Sequence, residues 1–100
     1  MRRKIPSKNK NLIMHLHILA FGNVQGRSYR WFVFSIARKL GITGTVKNLP
    51  DGNVEVFATG KKKALDEFLQ AIEHDAPYAE VKGLNVHHIP SKEYQGFSVL

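Results

Sequence analysis

Between residues 14 and 59 the apolar side chains switch from strand spacing to helix spacing and back again, and few architectures accommodate that order. Met14, Leu16, Ile18 and Ala20 alternate with His15, His17, Leu19 and Phe21, the period of a strand. The run stops at Gly22-Asn23-Val24-Gln25-Gly26. Phe32, Val33, Ile36, Ala37 and Leu40 then recur at helical spacing, and Gly41 closes that helix. Ile42, Gly44 and Val46 alternate with Thr43, Thr45 and Lys47. Asn48-Leu49-Pro50-Asp51-Gly52 is turn chemistry, and Val54, Val56 and Ala58 against Glu55, Phe57 and Thr59 give a third strand. Ala64, Leu65, Phe68, Leu69 and Ile72 form the buried stripe of a second helix, which Pro77 ends. Strand-like segments follow around 80–89 and 94–99. The order predicts an α+β fold: a ferredoxin-like βαββαβ sandwich, an antiparallel sheet with two helices on one face and a short extra C-terminal strand.

Composition narrows the class. A chain of 100 residues has length for one core. Residues 1–11 read as a basic flexible tail and residues 12–100 as the folded domain. The absence of cysteine excludes a disulfide scaffold, a thiolate zinc site, an iron–sulfur cluster and a thiol nucleophile. No apolar run reaches the length of a membrane span, so no membrane partner is expected. A basic start ahead of Leu12-Ile13-Met14 resembles an export signal, but His15 and His17 interrupt the apolar run. The expected location is therefore cytoplasmic. Residues 11–50 hold five bases and no acid, whereas residues 51–100 hold five bases and all eight acids. An uncompensated positive half favours an anionic partner.

The topology says where that anion belongs. In a β-α-β unit the two strands run parallel, so the segments after the first and second strands share one rim. Asn48 and the loop that starts at Gly22 are thereby brought to one rim. Residues 22–30 read Gly-Asn-Val-Gln-Gly-Arg-Ser-Tyr-Arg and end inside the first helical turn. Glycines permit close backbone approach, a curved loop aims N–H groups inward, and the helix start adds free N–H groups and a positive dipole end. Arg30 supplies a charged fork matched to phosphate oxygens. Two readings stand on physics alone: an oxyanion site, or a tight strand-to-helix turn with a surface arginine.

The segments GNVQGRSYR and GTVKNLPDGNVE resemble the paired motifs of the acylphosphatase family, roughly G-x-V-Q-G-V-x-F-R and G-W-V-x-N-x-x-D-G-x-V-E. The resemblance covers residues 12–100 and keeps the family's 18-residue separation between the arginine and the asparagine, here Arg30 and Asn48. It implies hydrolysis of small acyl phosphates to a carboxylate and inorganic phosphate, without cofactor or metal. It also implies roles: Gly22, Asn23, Val24, Gln25, Gly26, Arg27 and Ser28 as the phosphate loop, Arg30 as the phosphate-binding catalytic arginine, and Asn48 as the catalytic holder of the attacking water. A monomer is expected. The chain departs from the pattern at Asn23, Arg27, Ser28, Tyr29 and Thr45, where the family often carries Arg, Val, a small or aromatic residue, Phe and Trp. Arg27 either adds charge to the site or points to solvent.

The sparse chemistry agrees with such a substrate. An acyl phosphate releases a carboxylate whose conjugate acid has a pKa of about 4, so no general acid is needed. An alkyl phosphate would need one, and the rim offers no cysteine or histidine. Other features have simpler readings. His15, His17 and His87 or His88 belong to a half-exposed sheet face, with no carboxylate evident for a metal site. Trp31 and Phe34 are core packing or cover for the rim. Lys61, Lys62 and Lys63 read as a solvated helix start, and Glu55 has no evident partner. An RNA-recognition module is set aside as the main function because the central strands present His15, His17, Glu55 and Phe57, with one aromatic beside an acid. The alternative, a catalytically weak or inactive binding or regulatory domain of the same fold, is opposed by the presence of Arg30 and Asn48 and left open by Arg27.

Overall fold

A computed structural model describes residues 12–100. The elements are β1 (Ile13–Asn23), α1 (Arg27–Leu40), β2 (Thr43–Asn48), β3 (Val54–Lys61), α2 (Lys62–His74), β4 (Glu80–His88) and β5 (Phe97–Val99). They form one sheet of order β4-β1-β3-β2-β5. The expected tail at residues 1–11 lies outside the described residues.

β1 pairs antiparallel with both β3 and β4, and β3 pairs antiparallel with β2. β1 and β2 therefore run parallel with β3 between them, which is the split βαβ unit that the periodicity predicts. Alternation along the strands sends Leu16, Ile18, Ala20, Val46, Val54, Val56, Ala58 and Leu84 inward. Tyr29, Val33 and Ala37 of α1 and Leu65, Phe68, Leu69 and Ile72 of α2 cover them. Each fully buried large apolar side chain contributes about 1.5–3 kcal/mol, so this layer is the main source of stability.

One detail of the sheet differs from the expected antiparallel pattern. β5 pairs with β2 in parallel, with Gly44 opposite Phe97 and Val46 opposite Val99. The cause lies in residues 89–96, which carry the chain from the β4 edge to the β5 edge across the face without helices. Ile89 N–H donates to the His15 carbonyl at 3.0 Å, and Gly44 N–H donates to the Gly96 carbonyl at 3.0 Å. Both contacts lie where β1 and β2 begin. The crossing therefore stays at that end, and β5 leaves it in the direction of β2.

The same open face explains two side chains. Glu55 is partnered after all: its Oε2 lies 2.9 Å from His17 Nε2. The β1–β3 register creates this pair by placing Glu55 beside Leu19 and Phe57 beside His17. Phe57 packs against the His17 ring at 4.8 Å and lies beneath the Lys92 ammonium at 5.1 Å, so Lys92 covers the only aromatic that these two strands were expected to present. Lys62 likewise departs from the solvated reading of its lysine run. It is buried at the start of α2 and donates to Asp66 Oδ2 at 2.8 Å, one helical turn on.

Tyr29, where the family motif has Phe, closes a gap in α2. The last four carbonyls of a helix lack intrahelical partners, and Ile72 holds one of them. Tyr29 Oη donates to the Ile72 carbonyl at 2.8 Å in the buried layer between the helices. Burial first, and the Glu73 carboxylate second, push the Tyr29 hydroxyl above its ordinary value of 10.0. The fold thus holds this proton more tightly than the unfolded chain does. Its contribution is complete below pH 10 and is lost as the pH rises beyond that. Tyr29→Phe is expected to lower the unfolding free energy at neutral pH by about 1–2 kcal/mol, because the buried carbonyl loses its donor. It should also reduce the fall in stability above pH 10; denaturant unfolding of both proteins across pH 7–11 measures both effects.

Candidate active site

The site grows from the junction of β1, α1 and β2. Gly22 and Asn23 are the last residues of β1, paired with Val81 and Glu80 across a shift in the β1–β4 register. A Cβ on Gly22 would lie 2.3 Å from the Glu80 carbonyl oxygen, so only glycine lets β4 approach there. Val24 is fully buried in the core. Gln25 spends its side-chain amide on the β2–β3 turn, donating to the Asn53 carbonyl at 3.0 Å and the Leu49 carbonyl at 3.4 Å. That turn is closed by Asn53 N–H donating to Asp51 Oδ1 at 2.9 Å. What the segment 22–26 offers an anion is therefore its backbone; the one polar side chain with a fixed role, Gln25, staples the loop to its neighbour.

Gly26 is the pivot. Its φ of 102° and ψ of −170° lie in a region that essentially only glycine occupies, and it caps α1 without a side-chain hydrogen bond. The first turn of α1 carries no acid. Carboxylates normally stabilise that position, so the positive end of the dipole and the free N–H groups are left for another anion. Arg27 and Ser28 are exposed at this helix start. Thr45 faces away from the core, opposite Phe57.

Arg30 and Asn48 come from different elements and converge on one atom. Arg30 Nε donates to the Gly26 carbonyl at 3.4 Å, and Asn48 Nδ2 donates to the same carbonyl at 3.3 Å. A second nitrogen of Arg30 donates to the Leu100 main-chain oxygen at 2.6 Å. The guanidinium has five N–H donors, so these two contacts fix its plane and leave donors for a ligand. The Asn48 amide is fixed by its nitrogen, while its Oδ1 is buried and has no hydrogen-bond partner among the described residues. The Leu100 contact has no signal in the sequence, because any residue can supply a main-chain oxygen.

The sequence-expected residues thus divide by position. Arg30, Asn48 and Gly26 meet at one rim; Arg27 and Ser28 border it; Gly22 and Asn23 end β1; Val24 belongs to the core. Among the described residues no group of three or more His, Asp or Glu side chains is placed to hold a metal. No helix among them is long and apolar enough to cross a membrane.

Strand order and the pair of helices on one face define the class: a ferredoxin-like α+β sandwich with an arginine and an asparagine at the start of its first helix. The acylphosphatase family model matches residues 16–99. An acylphosphatase from Archaeoglobus fulgidus is 45% identical over 84 residues, covering 84% of this chain and 94% of the relative. The crystal structure of acylphosphatase from Bacillus subtilis superposes with a TM-score of 0.82 at 34% identity, over 89% of this chain and 99% of that one. An acylphosphatase from Coxiella burnetii gives a TM-score of 0.84 at 30% identity, over 94% of this chain and 99% of that one. The chain belongs to the acylphosphatase family and is an enzyme of that type.

Proposed function

We propose that the protein hydrolyses the carboxyl–phosphate bond of small acyl phosphates at the rim formed by Gly22–Ser28, Arg30 and Asn48. The observation that carries this reading is the convergence of Arg30 and Asn48 on the Gly26 carbonyl. It puts a fixed positive charge, a fixed carboxamide and the free N–H groups of a helix start around one small volume.

The chemistry follows from those groups. Backbone N–H groups of the loop and the remaining guanidinium donors take the phosphoryl oxygens. Phosphoryl transfer proceeds through a loose transition state, so catalysis is positioning plus stabilisation of spread charge. Water held at Asn48 Oδ1 attacks phosphorus; the P–O bond to the acyl group breaks, and its electron pair leaves with the carboxylate. The water's proton passes to a phosphate oxygen, giving inorganic phosphate. An orphaned buried acceptor costs about 1–3 kcal/mol, and a water O–H donor relieves that cost. No step draws on a cofactor or metal. The folded domain is residues 12–100, acting as a cytoplasmic monomer.

Hydrolysis of benzoyl phosphate and p-nitrophenyl phosphate, each with and without chelator, tests the reading. Rapid chelator-insensitive cleavage of benzoyl phosphate with little cleavage of the nitrophenyl ester is expected. Equal cleavage of both, or of neither, would overturn it.

A further inference from the structure

Among the described residues five large apolar side chains are exposed, and two of them flank Arg30: Trp31 at 48% and Leu100 at 60% exposure. Trp31 follows Arg30 directly in α1, and Leu100 supplies the oxygen that holds the guanidinium. Trp31 is held edge-on against Phe34, with ring centroids 5.3 Å apart and planes at 78°. Phe34 in turn packs against Phe97 of β5 at 6.4 Å. Side chains on a helix lean toward its N-terminus, so Trp31 covers the turn above Arg27, on the side of the loop.

The ring is thus an apolar surface with few internal degrees of freedom, buttressed by Phe34, which Phe97 backs in turn. Helix packing does not require it there, since Tyr29, Val33 and Ala37 already fill the buried face of α1. An acyl phosphate has two unlike ends. Its phosphoryl group matches the guanidinium and N–H groups, and its acyl group must project from them across the rim. Aromatic rings gain edge-to-face or offset contact worth about a factor of ten or less beyond their area burial. A benzoyl group offers a ring to stack on such a surface, whereas an acetyl group presents one methyl.

We infer that Trp31, buttressed by Phe34 and flanked by Leu100, forms a shelf for the acyl group and selects aromatic or bulky acyl phosphates over acetyl phosphate. This rests on the reading of the rim as an acyl phosphate site. Trp31 is the one tryptophan of the sequence, so its emission reports on the shelf directly. Benzoylphosphonate and acetylphosphonate, whose P–C bonds resist hydrolysis, are the probes. Saturating benzoylphosphonate is expected to shift or quench the emission, and acetylphosphonate at equal occupancy to do so much less. Trp31→Ala is expected to lose about tenfold in kcat/KM for benzoyl phosphate and less than about twofold for acetyl phosphate, with Trp31→Phe restoring most of the loss. Equal losses on both substrates, no loss on benzoyl phosphate, or equal emission changes with both phosphonates would overturn the shelf alone. Failure of the wild-type protein to hydrolyse either substrate would overturn the parent reading and the shelf with it.

Discussion

Arg30→Ala is expected to reduce kcat/KM for benzoyl phosphate by about a thousandfold or more and to abolish detectable inhibition by inorganic phosphate. Loss of a single preorganised donor to a transition-state oxygen costs about 100- to 1000-fold, and this substitution removes several donors and a full charge together. Arg27 borders the rim but does not share the Gly26 and Leu100 contacts that fix the Arg30 guanidinium. Arg27 is exposed at the first residue of α1, and residues 11–50 place no other arginine before Arg38. Stability should change little, because the side chain is only partly buried and its two hydrogen bonds lie at the surface. Arg30→Lys separates charge from shape. Lysine keeps the charge but loses the planar fork, and its single nitrogen cannot hold both the Gly26 and Leu100 oxygens and still offer paired donors. We expect it to recover less than about a tenth of wild-type activity. Steady-state kinetics, with thermal unfolding as the control for folding, decides the matter; an Arg30→Ala enzyme within tenfold of wild type would remove the arginine from the chemistry.

The protein shows which features a sequence states openly. Element order was legible because alternation in β1, β2 and β3 and the helical stripes of α1 and α2 are local properties, each dictated by a face that must be buried. The parallel seating of β5 was not. It depends on residues 89–96 crossing one end of the sheet, and Pro90-Ser91-Lys92-Glu93 carries no periodicity to say so. Pair partners follow the same rule. Glu55 finds His17 only through the register of two strands, 38 positions apart, whereas the Lys62–Asp66 pair sits at helical spacing and was readable in principle. At the rim, Arg30, Asn48 and Gly26 were legible as residue types. That Val24 is core and that Gly22 serves the approach of β4 were not, because both depend on neighbours distant in the chain. The paired motifs supplied what physics alone left open, and the shared Gly26 carbonyl shows how the two motifs meet in space.

Asn48→Ala carries the other large effect, and it divides binding from turnover. The carboxamide is assigned to the attacking water, not to the phosphoryl oxygens, so kcat should fall about 100- to 1000-fold while the inhibition constant for inorganic phosphate moves less than about threefold. Stability should change little. The Asn48 nitrogen makes one long hydrogen bond, 3.3 Å to the Gly26 carbonyl, and Oδ1 has no partner among the described residues. The alanine enzyme is therefore expected to unfold within about 1 kcal/mol of wild type while nearly inactive, so the lost turnover is not a loss of fold. Asn48→Asp sharpens the test. Carboxylate replaces the amide donor, faces the Gly26 carbonyl with like partial charge, and stands beside the phosphoryl group. It should weaken phosphate inhibition as well as kcat, and acidification toward the carboxylate's pKa should restore part of that inhibition. An Asn48→Ala enzyme with near-normal kcat would place the water elsewhere; one with normal kcat but weakened phosphate inhibition would make Asn48 a phosphate ligand instead.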